Sequence, residues 1–374
     1  MIYMDYNATS LVRPEALEAM LPFYRESFGN ASSIHKAGQR VKAAIEDARE
    51  KVARFLGCAP QEVVFTSGGS EADNTALKGA AAAWCEKGNH IITTRVEHPA
   101  VLNTCAALEK QGYEITWLDV NREGRLDLAQ LEASITEHTI LISVMAANNE
   151  TGVIFPVNEI GEIAARRGVI FHCDAVQAAG RMEINCRKMN AGLLSVSGHK
   201  LGAPQGIGVL VVRSDIKIQP LIHGGAQERN RRAGTENVAG IVGLGKACEL
   251  TLVDGKDFVC MLRDKLEKGI MASIPDTYIN GDIQNRLPNT TNISFTGVAV
   301  DSLLANLDLA GVAASAGSAC SSGTLRTSHV LSAMGIDAAL VQSAVRFSLG
   351  YKNTATDVDA VLEILPDIVT RLRK

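Results

Sequence analysis

The chain has 374 residues, 46% hydrophobic and 21% charged, a composition that buries a sizeable core and excludes a disordered polypeptide. Its 37 basic and 41 acidic residues leave a formal charge of −4, so no basic field holds nucleic acid or an anionic membrane surface. The start, M-I-Y-M-D-Y-N-A-T, has neither a basic n-region nor an apolar h-region, and no apolar run nears the ~20 residues of a membrane span. A cytoplasmic protein with no membrane partner is the expectation.

In chain order, Val63–Phe65 is an apolar run closed by a glycine turn, followed by a helical pattern from about Ser70 to Glu86 and a strand at 90–94. A helix at about 99–111 leads to a strand at 114–118, and a further helix to a strand at 140–144. A helix near 158–167, a strand at 169–173 and a strand pair at 193–196 and 207–212 complete the alternation. This βαβ spacing predicts an α/β fold with a mostly parallel central sheet, helices on both faces, and ligands at the carboxyl ends of the strands. From about Thr235 two long helical stretches and then short elements predict a smaller α+β domain. The expected division is 14–254 for the large domain, with 1–13 and 255–374 forming the small one. The eight cysteines contain no C-x-x-C pair, which disfavours a metal site or a disulfide framework and predicts mostly small buried hydrophobes in a reducing compartment.

The chemistry-bearing segments fall at strand ends. S-V-S-G-H-K ends in Lys200, which taken alone is equally consistent with a solvated loop lysine. H-C-D-A-V-Q places Asp174 and Gln177 after another buried strand, where an acid is most often a helix cap. Together a lysine and an aspartate suit a pyridoxal cofactor, which needs a lysine for its Schiff base and an acid to keep its pyridine nitrogen protonated. F-T-S-G-G-S-E-A runs from strand to helix with Gly69 and Ser70 at the helix start, where free N–H groups bind an anion. It matches neither a P-loop nor a dinucleotide fingerprint. His98, in E-H-P-A, reads either as a capping histidine or as part of the same strand-end site.

These motifs, with G-N-A-S-S-I-H, A-N-N-E-T-G-V-I, R-R-A-G-T-E-N, S-A-G-S-A-C-S-S-G and V-R-F-S-L-G, resemble the NifS/IscS-type cysteine desulfurases over nearly the whole chain. These are class V members of the pyridoxal-phosphate aminotransferase-like enzymes. The resemblance implies aminotransferase fold type I, pyridoxal 5'-phosphate as cofactor and conversion of L-cysteine to L-alanine, with sulfur held as a persulfide on Cys320. It makes Lys200 the Schiff-base lysine, Asp174 the pyridinium partner, Gln177 the partner of the ring hydroxyl and His98 the stacking, proton-moving histidine. Gly69, Ser70, Ser197 and His199 match the phosphate positions. Thr235 matches a threonine that reaches the other subunit of a homodimer with shared active sites. Asn149 and Arg346 match the groups that hold the substrate carboxylate, a task suited to the planar guanidinium fork. Cys320 lies in a small-residue loop with nothing to bury it, as a reactive thiolate requires. Sulfur supply to an iron–sulfur scaffold or a sulfur-carrier protein is implied, and no metal. Tyr6 stands where such proteins commonly carry Asn, and Gly69-Ser70 replaces Ala-Thr or Gly-Thr while keeping the hydroxyl. D-Y-N-A-T also occurs in selenocysteine lyases, so a selenocysteine lyase or another class V aminotransferase is the alternative, and a catalytically silent assembly scaffold a third.

Overall fold

The computed structural model describes residues 1–252, 256–317 and 327–374. Its strands are β1 Ile2–Tyr3, β2 Val63–Thr66, β3 His90–Thr94, β4 Glu114–Leu118, β5 Thr139–Ser143, β6 Ile170–Asp174, β7 Leu193–Ser197, β8 Gly208–Val212, β9 Thr277–Ile279, β10 Thr290–Phe295, β11 Val312–Ala313 and β12 Ala344–Ser348. Seven of them form one sheet in the order β2-β8-β7-β6-β5-β3-β4. Pairing is parallel from β4 through β7, and β8 runs antiparallel to both of its neighbours. Strands such as V-V-F-T, T-I-L-I-S and G-V-L-V-V are buried along their whole length, as strands covered on both faces must be.

One face of the sheet packs on the helices Gly69–Ala83 and Pro99–Glu109 through Ala72, Ala76, Leu77, Val101 and Leu108. The other packs on Lys36–Leu56, Val157–Arg167 and Val238–Thr251 through Val41, Ile45, Val52, Ile160 and Leu244. Val41, Ile45, Val52 and Leu56 recur on one stripe of their helix, which ends at Gly57 in the left-handed conformation. A separate core joins Met4, Leu266, Ile270, Phe295, Phe347, Val361 and Leu365 around the antiparallel sheet β12-β10-β9. Into it the amino-terminal residues are threaded: β1 pairs with β11, and Asp5 bridges to Ser348 of β12.

The mostly parallel α/β architecture read from the sequence is the one observed. Two helix boundaries differ for local reasons. The helix expected to reach Glu86 stops at Ala83, because Trp84 leaves helical geometry and its indole N–H donates to Lys217 O at 3.0 Å. That puts Cys85 on an exposed turn, unlike Cys105, Cys173, Cys186 and Cys248, which are buried as expected. The helix expected from Glu236 begins at Val238, capped by the Asn237 side chain, which accepts from Gly240 N–H at 3.1 Å.

Candidate active site

The strands β2, β3, β5, β6 and β7 all end on one edge of the sheet, and their following residues surround a cavity of about 580 Å³. After β2 the chain turns through Ser67 and Gly68 into a helix whose first intrahelical bond is Ala72 N–H to Gly68 O at 3.1 Å. The N–H groups of Gly69, Ser70 and Glu71 precede that bond, so helix geometry leaves them to an outside acceptor. A side chain at Gly208, the first residue of β8, would lie 2.6 Å from Gly68 Cα, so glycine there lets the turn pack flat on the sheet end. Glu71 accepts from Ser67 N–H at 2.8 Å and pairs with Arg232 at 2.9 Å. That pair offsets its charge beside an anion site.

β6 delivers Asp174, which is buried and accepts from Val176 N–H at 2.9 Å. Burial pushes its carboxyl up to about 6, against the pull of that N–H and of Lys200. A cation placed against it would restore its ionised form. From β7 the chain passes Ser197 into the short turn Gly198–Lys200, where Lys200 Nζ donates to Asn7 O and to Ala8 O at 2.7 Å. Gln177 also leans on Asn7, its Nε2 donating to the same carbonyl at 3.0 Å. His199 Nδ1 lies 3.1 Å from Thr9 Oγ1, and burial lowers its basicity to about 4.

β3 leads to Glu97 and His98. His98 Nδ1 accepts from Ala100 N–H at 3.1 Å and caps the helix Pro99–Glu109, so both readings of this histidine hold: it is a cap and it lines the cavity. Burial, aided by Lys200 and His329, holds its ring at about 4, so it is neutral near pH 7. With Nδ1 accepting, the ring proton belongs on Nε2.

Arg346, on β12, is 2% exposed and donates to Asp5 Oδ1 at 2.7 Å, Asn149 O at 3.0 Å and Gly317 O at 3.2 Å. Its Nε and the Asn149 Oδ1 are buried without a hydrogen-bond partner. An unmatched donor and acceptor on a cavity wall are what a polar ligand satisfies.

Of the residues singled out from sequence, Gly69, Ser70, His98, Asn149, Asp174, Gln177, Ser197, His199, Lys200 and Arg346 all line this cavity. Thr235 does not. It sits with Thr66, Ser67 and Arg232 on a neighbouring hollow of about 90 Å³. Cys320 lies outside the described residues. Sequence reasoning missed Asn7, whose carbonyl holds Lys200 and Gln177, although the D-Y-N-A-T motif contained it. It also missed the buried acids Asp73 and Glu97. Burial and their neighbouring carboxylates raise both, Glu97 to about 8. Among the described residues no cluster of His, Cys, Asp and Glu is disposed to hold a metal ion, and no helix is long and apolar enough to cross a membrane.

Residues 2–361 match the aminotransferase class-V family. The chain belongs to that family. Among its class-V relatives, a protein named cysteine desulfurase from Trichormus azollae is 51% identical over 375 residues, covering 100% of this chain and 94% of the relative. A solved NifS-like protein superposes with a TM-score of 0.94 at 38% identity, covering 99% of this chain and 100% of that one. SspA, solved in complex with cysteine, gives 0.85 at 37% identity over 93% of this chain and 99% of that one. The class-V cofactor of the resemblance, pyridoxal phosphate, fits the donor set: N–H groups and hydroxyls at a helix start for a phosphate, a buried acid for a ring nitrogen, and Lys200 on the same cavity.

Proposed function

We propose that this protein is a pyridoxal-phosphate-dependent cysteine desulfurase that converts L-cysteine to L-alanine and passes the sulfur to Cys320 as a persulfide. The observation that carries the reading is the meeting of Lys200, Asp174, His98 and Arg346, from four separate segments, on one cavity. When bound, the cofactor supplies an electron sink for charge developed at the substrate Cα.

The chain's own groups divide the remaining work. Gly69, Ser70, Ser197 and His199 hold the phosphate, and Asp174 holds the proton on the ring nitrogen. Gln177 faces the ring hydroxyl. Arg346, through its unmatched Nε–H, and Asn149 hold the substrate carboxylate. Lys200 Nζ, once released from the carbonyls of Asn7 and Ala8, takes the α-proton. His98, with its proton on Nε2, gives a proton before it takes one. The Cys320 thiolate attacks the substrate sulfur; an S–S bond forms, the C–S bond breaks, and its electron pair stays with carbon, which is protonated to alanine. No external oxidant enters that balance.

The position of Thr235, off the cavity of its own chain, supports a homodimer in which it serves the partner's cofactor phosphate. The division at residues 14–254 against 1–13 and 255–374, with Cys320 carried by the smaller unit, belongs to the same proposal. So does sulfur delivery to an iron–sulfur scaffold or carrier. The test adds L-cysteine to purified protein, measures alanine and maps the added sulfur by mass spectrometry. Stoichiometric alanine with a 32-Da increment on the Cys320 peptide is expected; selenocysteine turnover without cysteine turnover would overturn the reading.

A further inference from the structure

A second cavity, of about 430 Å³, lies behind Lys200, which also forms part of the wall of the first. Its size falls in the range of small-molecule sites. Leu201, Leu349 and Val259 give it apolar sides, and the rings of Tyr6 and Tyr351 meet edge to face on its wall at 6.2 Å. Tyr6 is fixed there by Gly350, where any side chain would collide with its ring. The described residues that line the cavity include no aspartate or glutamate.

Arg181 lies on this wall with two other cations, Lys200 and Arg13, the latter 4.5 Å from the Tyr351 ring centroid. It is partly buried, its Nη1 donating to Gln177 O at 2.8 Å and Gln177 Oε1 at 2.5 Å, and its Nη2 to Tyr6 O at 3.0 Å. All three acceptors are neutral. No carboxylate among the described residues pairs with Arg181, and its nearest charged influence is another cation, Arg346. A guanidinium carries five donors, so the Nε–H and one Nη2–H are left over. A half-buried cation whose partners are all neutral is favourably paired by an anion that reaches it.

We propose that this cavity binds a small aromatic carboxylate, its carboxylate held by Arg181 and its ring against Tyr351 and the aliphatic sides. A carboxylate matches the two remaining donors in planar geometry. An aromatic body matches the edge-to-face tyrosines and the aliphatic sides. The site is separate from the one assigned to L-cysteine, whose carboxylate partner is Arg346, and the proposal stands whether or not the chain desulfurates cysteine.

The test titrates benzoate, and benzamide as its neutral isostere, into the cofactor-loaded protein by calorimetry. One saturable benzoate site per chain is expected, with benzamide at least about tenfold weaker. Arg181→Met should weaken benzoate by about tenfold or more. Val259→Trp, which fills the cavity from its apolar side, should abolish benzoate binding while L-cysteine turnover persists. Absence of saturable binding at millimolar benzoate, or equal affinity for benzamide, overturns the proposal. So does benzoate binding that survives Val259→Trp, because the ion would then sit on Arg346.

Discussion

Arg346 Nη2 donates to Asp5 Oδ1 at 2.7 Å, so the guanidinium assigned to the substrate carboxylate already has an anionic partner in the resting chain. The incoming carboxylate meets an oriented fork that still has one unmatched buried donor, Nε. Arg346→Lys loses the planar two-point grip, and the KM for L-cysteine should rise about tenfold or more with a smaller change in kcat. Asp5→Asn removes the competing charge and should lower that KM. Steady-state kinetics on both variants check the pair, and an unchanged KM in Arg346→Lys would remove Arg346 from the substrate site.

Lys200→Ala should fold normally, because it deletes donors to the Asn7 and Ala8 carbonyls on a cavity wall, where water can replace them. Borohydride should then fix no cofactor to the variant, whereas in the parent protein peptide mapping should find the reduced cofactor on Lys200 alone. Attachment to a different lysine would refute the assignment.

Cys320→Ser should leave substrate binding intact and almost abolish alanine release, since a serine hydroxyl is a poor acceptor of sulfur near neutral pH. Single-turnover alanine yield is the measurement. A variant that desulfurates at the parent rate would mean that free thiols take the sulfur directly.

Glu97 ties stability to pH. Its carboxyl accepts from Thr94 Oγ1 at 2.9 Å and Met145 N–H at 3.0 Å, yet burial holds it at about 8 against an ordinary 4.5. Between those values the folded chain binds the proton more tightly than the unfolded chain. Stability therefore falls as pH rises through the window, by up to about 1.4 kcal/mol per pH unit. Glu97→Gln keeps one acceptor oxygen and carries no charge, so urea unfolding at pH 6 and pH 8 should show a shallower loss than in the parent. An unchanged slope would mean that another group sets it.

Arg49, on the helix Lys36–Leu56, grips Glu228 with two bonds of 2.9 Å, and both side chains are 4% exposed. Glu228 has φ of +45° and also accepts from Phe65 N–H at 3.0 Å, so the pair anchors the loop that leads to Arg232 and Thr235. Arg49→Met leaves a buried carboxylate uncompensated and should cost about 3–5 kcal/mol of unfolding free energy. Denaturant titration reads that loss. If Thr235 serves a partner subunit, sedimentation should show a weaker dimer as well.

The strand ends were readable because each couples an apolar run to a chemically improbable residue: Asp174 after I-F-H-C, Lys200 after L-L-S-V-S-G-H, Gly69-Ser70 after V-V-F-T. Hydrophobic patterning located β2, β3 and β5 through β8 because strands buried on both faces leave few polar residues to blur the signal. What stayed hidden depends on contacts between distant segments. Nothing local to R-M-E-I marks Arg181 as a half-buried cation with neutral partners, and no pattern in Q-E-R-N requires Glu228 to turn back on Arg49. Asn7 acts through its carbonyl, which every residue possesses, so its side chain could not announce the role. Trp84 ended its helix through a bond to Lys217, 133 residues further along the chain.

The threading of Met4 to Asn7 into the smaller core has a consequence for biosynthesis. Asn7 N–H donates to Ser348 Oγ at 2.9 Å, across a sequence separation of 341 residues. At translation rates of about 5–20 residues per second, the first segment made waits roughly 17–70 s for its last partner to emerge. The carbonyl that positions Lys200 and Gln177 is therefore fixed in place among the final events of folding. A nascent chain that already displays the whole of the central sheet still lacks the floor on which its lysine rests, so cofactor capture waits for the emergence of β12.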